Sequence, residues 1–349
     1  MTDPILRVRD LSSAFFTKEG TVRAVQDVGF ELKPGKVLAV VGESGCGKST
    51  LALSLLRLLP FPGKVTRGEV WFQGKDLLRA DEEELRRIRG RSMSMIFQDP
   101  VSGLNPVLPI GKQVEEILTS HLDIPKKERK QRTIEVLRHV GLADAERIVD
   151  SYPFHLSGGM CQRVMIAMAT ALNPSVVIAD EPTSALDVTV QAQILNELDA
   201  LREQRGTAIL LITHDLGVVA QMADEVAVMY AGRFIEVGEV NQIFKEPRHP
   251  YTWALMQTLP RLDRRGGDTL HAIPGTPPSM IDLPDECAFL PRCRKATLQC
   301  RTEPAPPLEP IAVAQSTACY NPVFHDWDND DLTAETQRTR RTQRTNFSC

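Results

Sequence analysis

The residues with the clearest chemical meaning run from Gly42 to Thr50, GESGCGKST, and fit the spacing G-x-x-x-x-G-K-[ST] at every fixed position. Gly42, Gly45 and Gly47 can take backbone angles closed to residues with a Cβ, so successive N–H groups can turn inward around an anion. A helix opening near Lys48 aims its positive end at the same point. Lys48 then brings a full charge to the outer phosphates of a nucleotide, and the hydroxyl of Ser49 suits magnesium, a hard cation that takes oxygen ligands. With Ser44, Cys46 and Thr50 completing the loop, the nine residues form a candidate nucleotide cradle.

Other chemically capable residues stand at the ends of apolar runs. Ser92 to Asp99, SMSMIFQD, reads as a strand that ends in Gln98, at the carboxyl edge where ligands of α/β sheets gather. Ser175 to Asp187, SVVIADEPTSALD, is a buried strand ending in two carboxylates. Asp180 suits the magnesium shell, and Glu181 suits a general base that polarises an attacking water. Thr207 to Thr213, TAILLIT, is another buried strand, followed by His214, which could contact a terminal phosphate or serve the structure alone. In HLSGGMCQR, Ser157 is a good N-cap, and Gly158 and Gly159 leave N–H groups open at the start of a helix from Met160 to Leu172, inviting a second phosphate contact. Phe15 and Phe16, on an expected loop ahead of the cradle, either stack on an adenine or pack into a core.

These residues need a sheet to carry them. Residues 5 to 40 read as short strands, Val37 to Val41 leads into the cradle, and Leu51 to Leu59 has helical spacing. Residues 68 to 78 suggest a further strand and turn. From Pro106 to about Val149 the pattern turns helical, with Val114, Ile117 and Leu118, then Ile134, Leu137 and Val140, on one face, so a helical subdomain is inserted between strands. The length of 349 residues allows one large domain with an appendage or two domains, and 25% charged against 42% hydrophobic residues is ordinary for a globular chain. A net charge of -4 gives no reason to expect nucleic acid. No apolar run approaches the roughly 18 residues of a membrane span, and the N-terminus lacks a secretory core. A cytoplasmic location follows, with room for attachment to a membrane protein.

Taken in order, GESGCGKST, Gln98, LSGGM, VVIADE, SALD and His214 resemble the Walker A, Q-loop, signature, Walker B, D-loop and switch histidine of ATP-binding-cassette (ABC) ATPases. The signature is the most specific of these, although Met160 stands where glutamine is usual. The resemblance implies an α/β phosphate-loop ATPase core over residues 1–245, with a mixed sheet, an antiparallel β subdomain and a helical subdomain at about 100–170. It implies two such domains head to tail, each ATP lying between one Walker A and the partner's signature. Lys48 and the loop amides would then hold the phosphates, Ser49, Gln98 and Asp180 the Mg2+, Glu181 the water and His214 the γ-phosphate.

Beyond Glu239, NQIFKEPRHPYTWALMQTLPRL, IPGTPPSM and a cysteine-rich stretch reaching about Pro322 resemble the ATP-binding subunits of oligopeptide, dipeptide and nickel importers, the D-type more than the F-type. This implies a domain over 246–322, a heterodimer with a second ATPase subunit, two transmembrane permease subunits at the cytoplasmic face of the membrane, and an extracytoplasmic substrate-binding protein. The implied function is an ATPase driving import of di- or oligopeptides. Nickel or another small solute is an alternative cargo, and a soluble ABC ATPase without membrane partners an alternative class.

Cys287, Cys293, Cys300 and Cys319, spaced C-x5-C-x6-C-x18-C, suggest a metal rather than disulfides in such a compartment. Their thiolates suit zinc or an iron–sulfur cluster, and the absence of any metal stays open. The importers that the chain resembles carry a 4Fe-4S cluster at a similar sequence, with glycine where Glu286 stands here. Cys46 and Cys161 read as bystanders with respect to metal. Residues 323–349, acidic and then basic with little to bury, are expected to be a disordered tail.

Overall fold

The computed structural model describes residues 3–184, 186–258 and 273–324. The expected tail from residue 325 onward and Ala185 of the SALD stretch lie outside the described residues. Strands β1 (Leu6–Thr17) and β2 (Gly20–Leu32) form an antiparallel hairpin in which Leu6 pairs Leu32 and Thr17 pairs Gly20. β1 runs far past the short strand expected at its start, whereas β2 is close to the strand expected there. The turn between them is closed by the Thr17 hydroxyl, which donates to the Gly20 carbonyl at 2.8 Å. Then come β3 (Val37–Val41), the cradle loop, and α1 (Lys48–Leu55). β4 (Gly63–Phe72) and β5 (Lys75–Asp76) return to the hairpin, giving a four-stranded sheet in the order β2-β1-β4-β5. Phe15 and Phe16 therefore lie within β1, not on a loop.

After α2 (Glu82–Ile88) and β6 (Met93–Ile96) the chain turns helical, with α3 (Ile110–His121), α4 (Lys126–His139), α5 (Ala145–Ile148) and α6 (Gly158–Thr170). It then alternates through β7 (Val176–Asp180), α7 (Val188–Arg205), β8 (Ala208–Ile212), α8 (Leu216–Met222), β9 (Glu225–Tyr230), β10 (Arg233–Glu239), α9 (Val240–Lys245) and α10 (Pro250–Gln257). α11 (Gln299–Thr302), β11 (Glu309–Ala312) and β12 (Gln315–Thr317) complete the described elements. The main sheet runs β11-β12-β10-β9-β3-β8-β7-β6. Its centre is parallel, with β3 between β8 and β9, and β7 between β6 and β8.

Every residue of β3, β7 and β8 is buried, as a parallel sheet covered on both faces requires. Alternate residues face opposite ways. Ala39, Val41, Val177, Ala179, Ile209 and Leu211 join the core shared with the helical segment. Leu38, Val40, Val176, Ile178, Leu210 and Ile212 join the core that includes Leu51 and Leu55 of α1 and Leu6, Val8 and Leu11 of β1. The cradle helix is thus packed between two sheets, and the loop before it is anchored on both sides.

The stretch after residue 246, where a small cysteine-bearing domain is expected, packs against the cassette. β12 pairs with β10, extending the main sheet, and Phe289, Cys287 and Cys293 pack on the same core as the central strands. Glu236 of β10 adds a polar tie to this packing. Its buried carboxylate accepts the amides of Arg248 and His249 at 2.7 and 2.8 Å and the Gln315 side-chain amide at 2.8 Å, tying β10, the start of α10 and β12 together.

Candidate functional site

The carboxyl ends of β3, β6, β7 and β8 open on one cleft of about 660 Å³. It is lined by Gly42, Glu43, Ser44, Gly45, Gly47, Lys48, Ser49 and Thr50 from the loop, and by Gln98, Asp180, Glu181 and His214. Residues up to 172 positions apart in sequence, from Gly42 to His214, are thereby brought to one place. Gly47 has φ +108°, and a Cβ there would run into the Ala24 carbonyl, so the close approach of β2 requires glycine. Gly47 caps α1 without a side-chain acceptor, leaving the first amides of the helix for a ligand. The Lys48 ammonium is buried and donates to the Gly42 and Glu43 carbonyls at 2.8 and 3.0 Å, so it rests on the loop that it would help to fill.

Two acids meet there in different states. Asp180 is almost wholly buried, and its Oδ1 has no hydrogen-bond partner. Burial pushes its pKa up, against a hydrogen bond from Ser49 and the charge of Lys48. A buried carboxylate with a spare lone pair beside a hydroxyl is a fitting place for a hard cation. Glu181 has φ +50°, a left-handed conformation unusual for glutamate, with its N–H donating to the Ile212 carbonyl at 2.8 Å. Its Oε1 lies 2.8 Å from His214 Nδ1, and its Oε2 accepts from the Thr213 hydroxyl at 3.5 Å. The side chain is held at the mouth of the cleft by neighbours on the next strand. Gln98 is exposed and lies two residues past β6.

Some expected contact residues lie elsewhere. Phe15 lines the cleft, whereas Phe16, its neighbour along β1, is half exposed and does not. Cys46 is buried, its thiol pushed up in pKa by that burial, and it does not line the cleft. Ser157, Gly158 and Gly159 are not part of this cleft either. Ser157 caps α6, accepting the Met160 amide at 3.3 Å, and a Cβ at Gly158 would meet nothing within 4 Å. The Met160 side chain packs against the core and so does not replace a polar contact. Sequence reasoning missed Gln162, whose amide donates to the Pro182 carbonyl at 2.8 Å and links the signature helix to the segment after Glu181. It also missed Leu255 and Met280, which line the cleft from the far end of the chain. Their pairing is long-range and carries no local motif.

Cys287, Cys293, Cys300 and Cys319 come together around one small pocket with His249, Lys295 and Tyr320. All four are free thiols. Burial raises Cys293 to about 11 and Cys319 to about 12, and the neighbouring cysteines push each of them further in that direction. Among the described residues, no group of three or more His, Cys, Asp or Glu side chains is set closely enough to hold a metal ion. The expected metal centre is therefore seen only as a converging set of thiols. The described helices include none long and apolar enough to cross a membrane.

The chain matches the family model described as ABC transporter over residues 25–184 and that described as oligopeptide/dipeptide transporter, C-terminal region, over residues 235–300. It is 48% identical over 305 residues to the oligopeptide transport ATP-binding protein OppD of Bacillus subtilis (strain 168), covering 87% of this chain and 85% of the relative. It is 46% identical to OppD of Escherichia coli (strain K12), covering 92% and 94%, and 47% identical to the dipeptide transport ATP-binding protein DppD of Bacillus subtilis, covering 85% and 89%. A dimeric structure of the ATP-binding cassette MJ0796 in a post-hydrolysis state, bound to ADP and Pi, superposes with a TM-score of 0.62 at 30% identity, covering 67% of this chain and 98% of that one. With a cleft built from the cassette motifs and relatives matched along most of its length, the chain belongs to the oligopeptide/dipeptide transport ATP-binding proteins of the ABC transporter family.

Proposed function

We propose that this chain is the ATP-hydrolysing, energy-coupling subunit of an importer of di- and oligopeptides. The observation that carries the reading is the convergence of the Gly42–Thr50 loop, Gln98, Asp180, Glu181 and His214 on one cleft. Lys48 and the loop amides would leave their internal acceptors to hold the β- and γ-phosphates, and Phe15 would lie against the adenine. Ser49, Gln98 and Asp180 would hold Mg2+, whose charge neutralises the phosphates. The unpartnered Asp180 oxygen supports that assignment. Glu181, oriented by His214 and Thr213, would take a proton from the attacking water, and His214 would bond the γ-phosphate from the other side.

A second ATPase subunit would complete each site, with Ser157, Gly158 and Gly159 reaching the partner's nucleotide; the exposure of Ser157 and Gly158 on this chain fits that role. A heterodimer of D-type and F-type subunits would sit peripherally on two permease subunits at the cytoplasmic face, supplied by an extracytoplasmic binding protein. The relatives named for oligopeptide and dipeptide transport support the cargo. Cys287, Cys293, Cys300 and Cys319 would hold a 4Fe-4S cluster. What supports this reading is that all four thiols line one small pocket. The cluster would supply a covalent cross-link among residues 287 to 319 and no redox step in transport.

The test is deletion of the gene followed by uptake of labelled di- and tetrapeptides and of nickel. Loss of peptide uptake, restored by the chain and not by Lys48→Ala, is the expected result. Intact peptide uptake with lost nickel uptake would overturn the cargo, and intact uptake of both would overturn the importer.

A further inference from the structure

Glu43 is the only acid in the loop GESGCGKST, an odd residue to place where phosphates must approach. Each of its polar groups is held. Its N–H donates to the Tyr251 hydroxyl of α10 at 2.9 Å, and its carbonyl accepts from Lys48 at 3.0 Å. Its carboxylate takes both arms of one guanidinium: Arg292 Nη1 donates to Oε2 at 2.7 Å and Nη2 to Oε1 at 2.9 Å. The fork is 249 residues away in sequence and its side chain is only 5% exposed.

Arg292 is fixed in turn. Its Nε donates to the Pro274 carbonyl at 2.9 Å and Nη1 to the Tyr230 hydroxyl at 3.1 Å, while the guanidinium lies 5.9 Å from the centres of the Tyr230 and Phe289 rings. Tyr230, Tyr251 and Phe289 pack mutually, with ring centres 4.6 to 5.5 Å apart. Arg292 ends the single helical turn Leu290–Arg292 and immediately precedes Cys293. A planar fork on a carboxylate fixes both charge and direction, which a lysine cannot do.

We propose that Arg292 is a positioning residue of the nucleotide site: it neutralises Glu43 and, with Tyr251, holds the phosphate loop in the form that accepts nucleotide. Nucleotide affinity then depends on the docking of the cysteine-bearing segment, and that segment is part of the ATP site rather than an appendage. The inference rests on the nucleotide reading of the cleft. Without Arg292 an unpaired carboxylate would face the phosphates, in a partly desolvated place where like charges repel strongly.

The experiment is calorimetric titration of the full chain with MgADP, in a two-residue cycle. Arg292→Ala should weaken binding about tenfold. Adding Glu43→Gln to that variant should bring affinity back to within about threefold of the parent, because the repelling charge is gone. A purely structural role for Arg292 would leave the double variant as weak as the single one, and that result overturns the proposal, as does affinity unchanged in Arg292→Ala. Should Arg292→Ala not fold, Arg292→Lys decides instead. It keeps the charge and loses the fork, so an intermediate loss of about threefold supports the inference and no loss overturns it. Failure of the parent chain to bind MgADP would bring down the nucleotide reading itself, and the proposal with it.

Discussion

At Glu181 the backbone and the side chain are constrained by different neighbours. The N–H is committed to the Ile212 carbonyl, φ stands at +50°, and the carboxylate is committed to His214 and Thr213. Strain of this kind persists only where surrounding structure fixes it, and it aims the carboxylate into the cleft. Glu181→Gln keeps the shape and a hydrogen bond to His214 while removing the base. MgATP binding should be retained and turnover in the assembled complex should fall by about 100-fold or more; undiminished phosphate release would refute the assignment. The cradle glycines, Lys48, Ser49, Asp180, Glu181 and His214 were all legible from sequence, because each follows a short apolar run and β-strand ends converge in a parallel sheet. Arg292 and Tyr251 were not. Nothing near them in the chain hints at Glu43, since their meeting is made by packing among Tyr230, Tyr251 and Phe289.

Among the elements, a buried carboxylate, Glu236, reinforces the join between β10 and the segment beyond residue 246. Glu236→Ala would leave the Arg248 and His249 amides and the Gln315 side chain without their acceptor, at a cost of about 3 kcal/mol. Denaturant unfolding should show that loss, with faster proteolysis beyond Glu246; an unchanged midpoint would contradict the tie. A second carboxylate works the other way. Glu197 of α7 is half-buried, its Oε2 has no partner, and burial raises its pKa from the usual carboxylate range to about 7. Between the ordinary value of 4.5 and about 7 the folded chain holds a proton that the unfolded chain has released, so this group's contribution to stability falls as pH rises through that window. Glu197→Gln removes the effect. Because water still reaches part of the group, the gain should be only about 1 kcal/mol at pH 8, vanishing near pH 4.5. Equal gaps at the two pH values would rule this out. Alternation and helical spacing marked most elements, including α3, α4 and the buried strands. Phe15 and Phe16 were misplaced on a loop because β1 bends through three register shifts against β2, which breaks the period-2 pattern that marks a strand.

For the whole molecule, the decisive feature is that one set of motif residues is left outside the cleft. The cassette likeness was readable from motif order, but no single chain could have shown where Ser157 and Gly158 act, since their ligand lies on another subunit in the proposed assembly. Gly158 offers a clean test. It is exposed, a Cβ there meets nothing within 4 Å, and it occupies the first turn of α6, where an acidic side chain favours the helix. Gly158→Asp should therefore leave the thermal stability and the MgADP affinity of the isolated chain unchanged. In the assembled transporter the same carboxylate would face the terminal phosphate bound by the partner, and repulsion across that seam would oppose closure. Phosphate release should drop to about half or less, since one of two composite sites is broken, and ATP should no longer drive association with the partner subunit. Full hydrolysis by the assembled variant would mean that the signature face is not a seam, and the head-to-tail arrangement would have to be abandoned.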